Sequence, residues 1–202
     1  MLRRIYLSPI GVIISYVLNL FSFIHKPFMV YGYYCKVNKK FQKHTRISSS
    51  AVLSNKTKIS ISNNVWIGHY CLLDGVGGIT IGEGVHVASH SCIYTHSSQN
   101  AIRLMGTNYI QTPIEKRIGY IIDKVSIGEY SFIGTSCVIL PGITIGKGCV
   151  IGAGSIVNKN VPDFSIAVGN PAVVVGDTRT LDEKLLSEFK SMHTYYLNNT
   201  RQ

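Results

Sequence analysis

A six-residue aliphatic period constrains this chain more than any other feature of its sequence. From residue 127 the chain divides into IGEYSF IGTSCV ILPGIT IGKGCV IGAGSI VNKNVP, with Ile127, Ile133, Ile139, Ile145, Ile151 and Val157 each opening a six. Glycine follows at 128, 134, 146 and 152, and a small or apolar residue sits four places after the aliphatic one at Ser131, Cys137, Ile143, Cys149 and Ser155. A period of six would scatter these side chains around an α-helix, whereas on a flat-sided β-coil each returns to the same face geometry. The period also runs through Ile61, Ile67 and Leu73, and through Ile81, Val87 and Ile93. Between Leu73 and Ile81 the spacing lengthens by two, which predicts a corner bulge within DGVGG, residues 74–78. With 46% hydrophobic and 15% charged residues the chain can bury one substantial core, and its 19 glycines follow no collagen period. An all-β, turn-rich architecture is the expectation.

The rhythm stops from Ser97 to Lys124, a segment containing RLMGTNYIQTPIEKRIGY. A long excursion between two regular halves reads as a functional loop, and Arg103, Tyr109, Lys116, Arg117 and Tyr120 are its candidates for contact with an acidic or sugar substrate. After the last repeat, residues 178–202 read as a C-terminal helix: Thr180 and Glu183 have capping-box spacing, and Leu181, Leu185, Phe189, Met192 and Tyr196 recur at helical intervals.

The net charge of +10 is concentrated at one end. Residues 1–73 hold Arg3, Arg4, Lys26, Lys36, Lys39, Lys40, Lys43, Arg46, Lys56 and Lys58, and Asp74 is the first carboxylate. No nucleic-acid-binding motif accompanies them, and they flank apolar stretches, so an anionic membrane surface is the partner they fit. Ile5 to Ile24 is free of charge but diluted by Ser8, Pro9, Gly11, Ser15, Asn19 and Ser22. The N-terminal segment 1–46 therefore reads as basic and apolar, with a helix apposed to a membrane or packed in an oligomer. Five cysteines without a CxxC pair argue against a disulfide framework and fit a reducing, cytoplasmic compartment, where the basic N-terminal segment would hold the chain peripherally at the inner face of the membrane.

On these hexads, and on the stretch FIGTSCVILPGITIGKGCVIGAGSIVNKNVPDFSIAVGNPA at 132–172, the chain resembles the hexapeptide-repeat, left-handed parallel β-helix acyltransferases. The resemblance covers roughly residues 47–176 and points to bacterial capsule and lipopolysaccharide sugar O-acetyltransferases. It implies a β-helix domain over 47–177 carrying the loop 97–124, a homotrimer with active sites between subunits, and acetyl-CoA as co-substrate. Three hexads make one triangular coil. The bulge lengthens the coil containing it to twenty residues, so Leu73 is expected beneath Ile93 and Asp74 beneath Tyr94, within reach of His96. In the family the corresponding histidine is the general base, a role carried onto His96, with Asp74 to orient it. His69, Tyr94, Arg103 and Tyr109 are the expected acceptor contacts. The resemblance places CoA near Phe132, Gly134, Thr135, Gly152, Ala153, Asn158 and Lys159, with Phe132 where the family often has Trp and Asn158 where it often has Thr.

Three other readings share the coil. A nucleotide-amino-sugar N-acetyltransferase would use the same histidine on a soluble acceptor. A gamma-class carbonic anhydrase would hold zinc through histidines such as His69, His86, His90 and His96, but the gaps of four and six between the last three differ from that family's pattern, and no metal is expected. A structural β-helix would leave the His96 and Asp74 placement without purpose.

Overall fold

The computed structural model describes residues 8–21, 26–193 and Tyr196. Its body is a three-sided parallel β-helix. On the first face Ile47 registers with Ile67, then Val87, Ile133, Ile151 and Ala167. The second stacks Leu53, Leu73, Ile93, Ile139 and Val157, and the third Ile61, Ile81, Ile127 and Ile145, with Val161 joined by an isolated bridge. These aliphatic side chains fill a continuous core, most at 0–2% exposure. Short strands suffice because every rung hydrogen-bonds to the rungs above and below it, so no rung is an edge except at the ends.

The register shows where the coil departs from regularity. The expected twenty-residue coil is present, and Leu73 lies against Ile93 as its length requires. The coil after the excursion is eighteen residues long, as Ile133 pairing with Ile151 shows, and the last is tightened to sixteen, as Ile151 pairing with Ala167 shows. Glycine permits the stacking at the corners: a Cβ on Gly134 would meet the Ala153 backbone nitrogen at 2.5 Å, and one on Gly77 would meet the Thr95 and Asp123 carbonyl oxygens, each at 2.7 Å.

Two ends differ from the sequence expectation. The regular architecture begins before residue 47, because Met29–Cys35 and Lys40–Ser48 form an antiparallel hairpin whose second strand joins the first face. The aromatic-rich MVYGYYC segment supplies the strand propensity. Helix α1 (Pro9–Phe21) carries exposed Ile10, Val12, Ile13, Tyr16 and Val17, and among the described residues no helix is long and apolar enough to cross a membrane. Arg3 and Arg4 lie outside the described residues. The excursion contains α2 (Gln99–Met105) and α3 (Asn108–Gln111) above a two-stranded stem in which His96 pairs with Ile122 and Ser97 with Ile121.

At the C-terminal end, Ser165–Gly169 turns back antiparallel onto Ala172–Asp177, and α4 follows at Thr178–Glu188. Its cap is Asp177, whose Oδ1 accepts from the Arg179 amide at 2.8 Å, so Thr180 lies inside the first turn and makes no capping box. The helix stops before Phe189, whose φ of −117° is not helical.

Candidate active site at the interrupted corner

The second and third faces meet at a corner built successively from residues 54–58, 74–78, 94–124 and 140–143. Asp74 ends the strand Leu72–Asp74, and its carboxyl group is nearly enclosed, with a side-chain exposure of 8%. One coil later His96 opens the stem strand and pairs through Nδ1 with Asp74 Oδ2. An ionised carboxylate only accepts, so Nδ1 carries the proton and Nε2 of the neutral ring is left with a lone pair. The ring is about one-third exposed, and the carboxylate is not. The arrangement yields a buried anion that fixes the tautomer of an accessible base.

Neighbouring groups hold this pair. Thr95, fully buried, donates from Oγ1 to the Asp74 carbonyl at 2.5 Å and accepts from the Gly77 amide at 2.7 Å, tying the DGVGG bulge to the coil above it. The Asp123 amide closes the far end of the excursion onto the Thr95 carbonyl at 2.9 Å. Both strands leaving the coil are therefore pinned within one residue of His96. Tyr120 stacks on the His96 ring with centroids 5.9 Å apart and an interplanar angle of 24°. Burial first, then Tyr109 and the Asp74 carboxylate, push the Tyr120 phenol above its ordinary pKa despite Arg117. Burial, with Cys92 and Asp74, does the same to Tyr94. Both phenols, like any tyrosine at neutral pH, are protonated and able to donate a hydrogen bond.

His96 opens on a cleft of about 330 Å³ lined by Tyr94, Ser97, Gln99, Ile121, Leu140, Pro141 and Asn158. Of the residues expected from the sequence, the structure therefore gathers His96, Asp74, Tyr94 and Asn158. Tyr109 connects through Tyr120, 6.5 Å between ring centroids. Arg103 instead binds its own helix through Gln99 and Asn100. His69 sits at the preceding corner, its Nδ1 2.7 Å from Ser48 Oγ, in a row where Tyr70 stacks on His90. Phe132, Gly134, Thr135, Gly152 and Ala153 line the first face and that same preceding corner, away from His96 within one chain; Thr135 Oγ1 donates to the Ser89 carbonyl at 2.6 Å. Lys159 follows Asn158 on the exposed side of the chain. His86 lies beside Trp66, so the four histidines considered as zinc ligands go to different places, and among the described residues no three His, Cys, Asp or Glu side chains converge.

Sequence reasoning did not single out Thr95 or the stacking of Tyr120. Thr95 had one available signal, a small hydroxyl residue immediately before the histidine at the end of a regular hexad.

Residues 124–159 match the family model described as bacterial transferase hexapeptide (six repeats). A protein of Escherichia coli strain K12, provisionally named the colanic acid biosynthesis acetyltransferase WcaF, is 32% identical over 136 residues, covering 67% of this chain and 68% of that one. A provisionally named acetyltransferase of Staphylococcus aureus strain MRSA252 is 35% identical over 138 residues, 64% of this chain, and the match spans 59% of that relative's length. Among solved structures, the N-acyltransferase AntD from Bacillus cereus, in complex with dTDP and 3-hydroxybutyryl-CoA, superposes with a TM-score of 0.57 at 26% identity, covering 75% of this chain and 89% of that one.

Proposed function

The chain belongs to the hexapeptide-repeat transferases, and from that premise we propose that it moves an acetyl group from acetyl-CoA to a hydroxyl of a bacterial surface polysaccharide or of its lipid-linked precursor. The observation that carries this reading is the His96–Asp74 pair at the mouth of the cleft. A sugar hydroxyl is a weak nucleophile at neutral pH and requires a base as it attacks. Nε2 of His96 takes the hydroxyl proton while the oxygen adds to the thioester carbonyl. The imidazolium, held by the Asp74 carboxylate, returns the proton to the departing thiolate, giving the acetyl ester and free CoA. No acyl-enzyme forms.

Donor and acceptor have separate approaches. Leu140, Pro141 and Asn158 belong to later coils, the side on which the family resemblance puts CoA; the excursion arm stands opposite and is the natural acceptor wall. Phe132, Gly134, Thr135, Gly152, Ala153 and Lys159 contribute to the donor groove, and because several lie at another corner, the complete site is formed between subunits of a left-handed, homotrimeric β-helix. The apolar α1 and the acid-free residues 1–73 hold the enzyme peripherally at an anionic membrane where a lipid-linked acceptor is made. The name of the E. coli relative supports a polysaccharide acceptor.

A second reading, N-acylation of a nucleotide amino sugar, is favoured by the likeness to AntD, whose structure holds dTDP and an acyl-CoA. The two are separated by release of CoA thiol from acetyl-CoA, using purified protein with O-deacetylated bacterial polysaccharides or with nucleotide amino sugars. Turnover with the polysaccharide and a base-labile ester product supports O-acetylation. Turnover confined to the amino sugar, giving an amide, replaces it with the second reading.

A further inference from the structure

The excursion arm presents two arginines in different states. Arg103 donates from Nη1 to the Gln99 carbonyl and from Nη2 to Asn100 Oδ1, both at 2.8 Å, and is spent on its own helix. Arg117 donates from Nε to the Thr112 carbonyl at 2.9 Å. Its guanidinium carbon lies 4.1 Å from the centre of the Tyr109 ring and 5.8 Å from that of Tyr120. Among the described residues neither Nη group meets an acceptor or a carboxylate. The acidic residues of the arm do not neutralise it: Glu115 makes no ion pair there, and Asp123 Oδ1 accepts from the Lys124 amide.

The physical consequence is an oriented fork. The Nε bond and the Tyr109 face fix the plane of the guanidinium, and its two terminal amino groups are left to grip an anion in a bidentate manner. Half-burial behind two aromatic rings strengthens that grip relative to a freely solvated arginine. Tyr120 touches both this fork and His96, so the anion site stands within two ring spacings of the base, a gap that a sugar unit and its substituent bridge.

Resting on the acyl-transfer reading above, we infer that Arg117 is the specificity-determining residue of the acceptor site and that the acceptor is an anionic sugar, its charge borne by a ring carboxylate or by the phosphate of a nucleotide carrier. The anion fastens to Arg117, and the sugar lies along Tyr120 with its nucleophilic group toward His96 Nε2.

Binding tests this without requiring turnover. Saturation-transfer NMR on the full chain would measure methyl β-D-glucuronoside, UDP-glucose and methyl β-D-glucoside as probes, with CoA as the donor control. The wild type should favour at least one anionic probe over the neutral glucoside by about tenfold or more. Arg117→Gln should erase that ratio, and Arg117→Lys, which keeps the charge but not the fork, should retain part of it. Loss on the glucuronoside alone identifies a carboxylate, and loss on UDP-glucose alone a nucleotide phosphate. The inference is overturned if the wild type shows no anion preference, if both variants weaken charged and neutral probes equally, or if CoA alone is affected. Should no acyl transfer be found with any acceptor while the Arg117-dependent ratio persists, the acyl-transfer reading fails and the anion site stands.

Discussion

The coil and the arm it carries are stabilised by different means, and the His96–Asp74 pair sits where they join. In the coil, each buried aliphatic residue packs on the equivalent residue one turn away, and the backbone is bonded above and below, so Ile133 and Ile139 are fully buried. The arm buries Ala101, exposes Ile102, Leu104, Ile110 and Ile118, and leans on ring contacts among Tyr109, Arg117, Tyr120 and His96. The repetitive scaffold fixes Asp74; the departure from repetition leaves His96 facing an open cleft.

The two regions should respond oppositely to alteration. Replacing residues 98–120 by Asn-Gly, which closes the stem between Ser97 and Ile121 as a tight hairpin, should leave a folded coil by circular dichroism and abolish transfer. Ile133→Ala should do the reverse, retaining the site's chemistry while costing about 2–5 kcal/mol of stability in denaturant titration. An arm deletion that unfolded the coil would contradict the division.

Smaller changes sharpen the account at the junction. Asp74→Asn keeps the shape but removes the charge that stabilises an imidazolium, so kcat should fall roughly 10²-fold with melting little changed. A collapsed protein would make Asp74 chiefly a structural part of the bulge. Tyr120→Ala, which frees the His96 ring, should lower kcat/KM about tenfold, whereas Tyr120→Phe keeps the stack and most of the rate.

The smallest effect lies on the coil. His86 is held below the ordinary histidine pKa, first by burial and then by Arg46. The folded state therefore binds the proton less readily than the unfolded chain. The stability linked to His86 is complete above about pH 6.5 and is lost as pH falls toward the lowered folded value. His86→Gln should reduce the acid-induced drop in melting midpoint by roughly 1–2 °C. An unchanged or steeper drop would contradict that sign.

The same division explains what the sequence made legible. Stacking is countable because a coil converts residue number into height: the bulge at 74–78 places Leu73 against Ile93, and Asp74 near His96, from residue numbers alone. Nothing periodic marks α2, α3 or the ring ladder, so Arg117 and Tyr120 stood among the candidates without an order of importance. The hairpin at 29–48 was obscured because its basic and aromatic residues read together with the apolar segment before them. His69 and Arg103, expected from the sequence as acceptor contacts, are each engaged locally within the chain, by a Ser48 hydroxyl and by helix α2's own polar groups, which a periodic pattern does not announce.

The most direct test of the central claim is the rate of CoA-thiol release for wild type and His96→Ala, measured with one productive acceptor, beside CoA affinity for both proteins. A general base predicts that the rate falls about 10²–10⁴-fold while CoA affinity and melting remain those of the wild type. Turnover within a few-fold of wild type would remove His96 from the reaction and leave the Asp74 pair a structural feature of the corner.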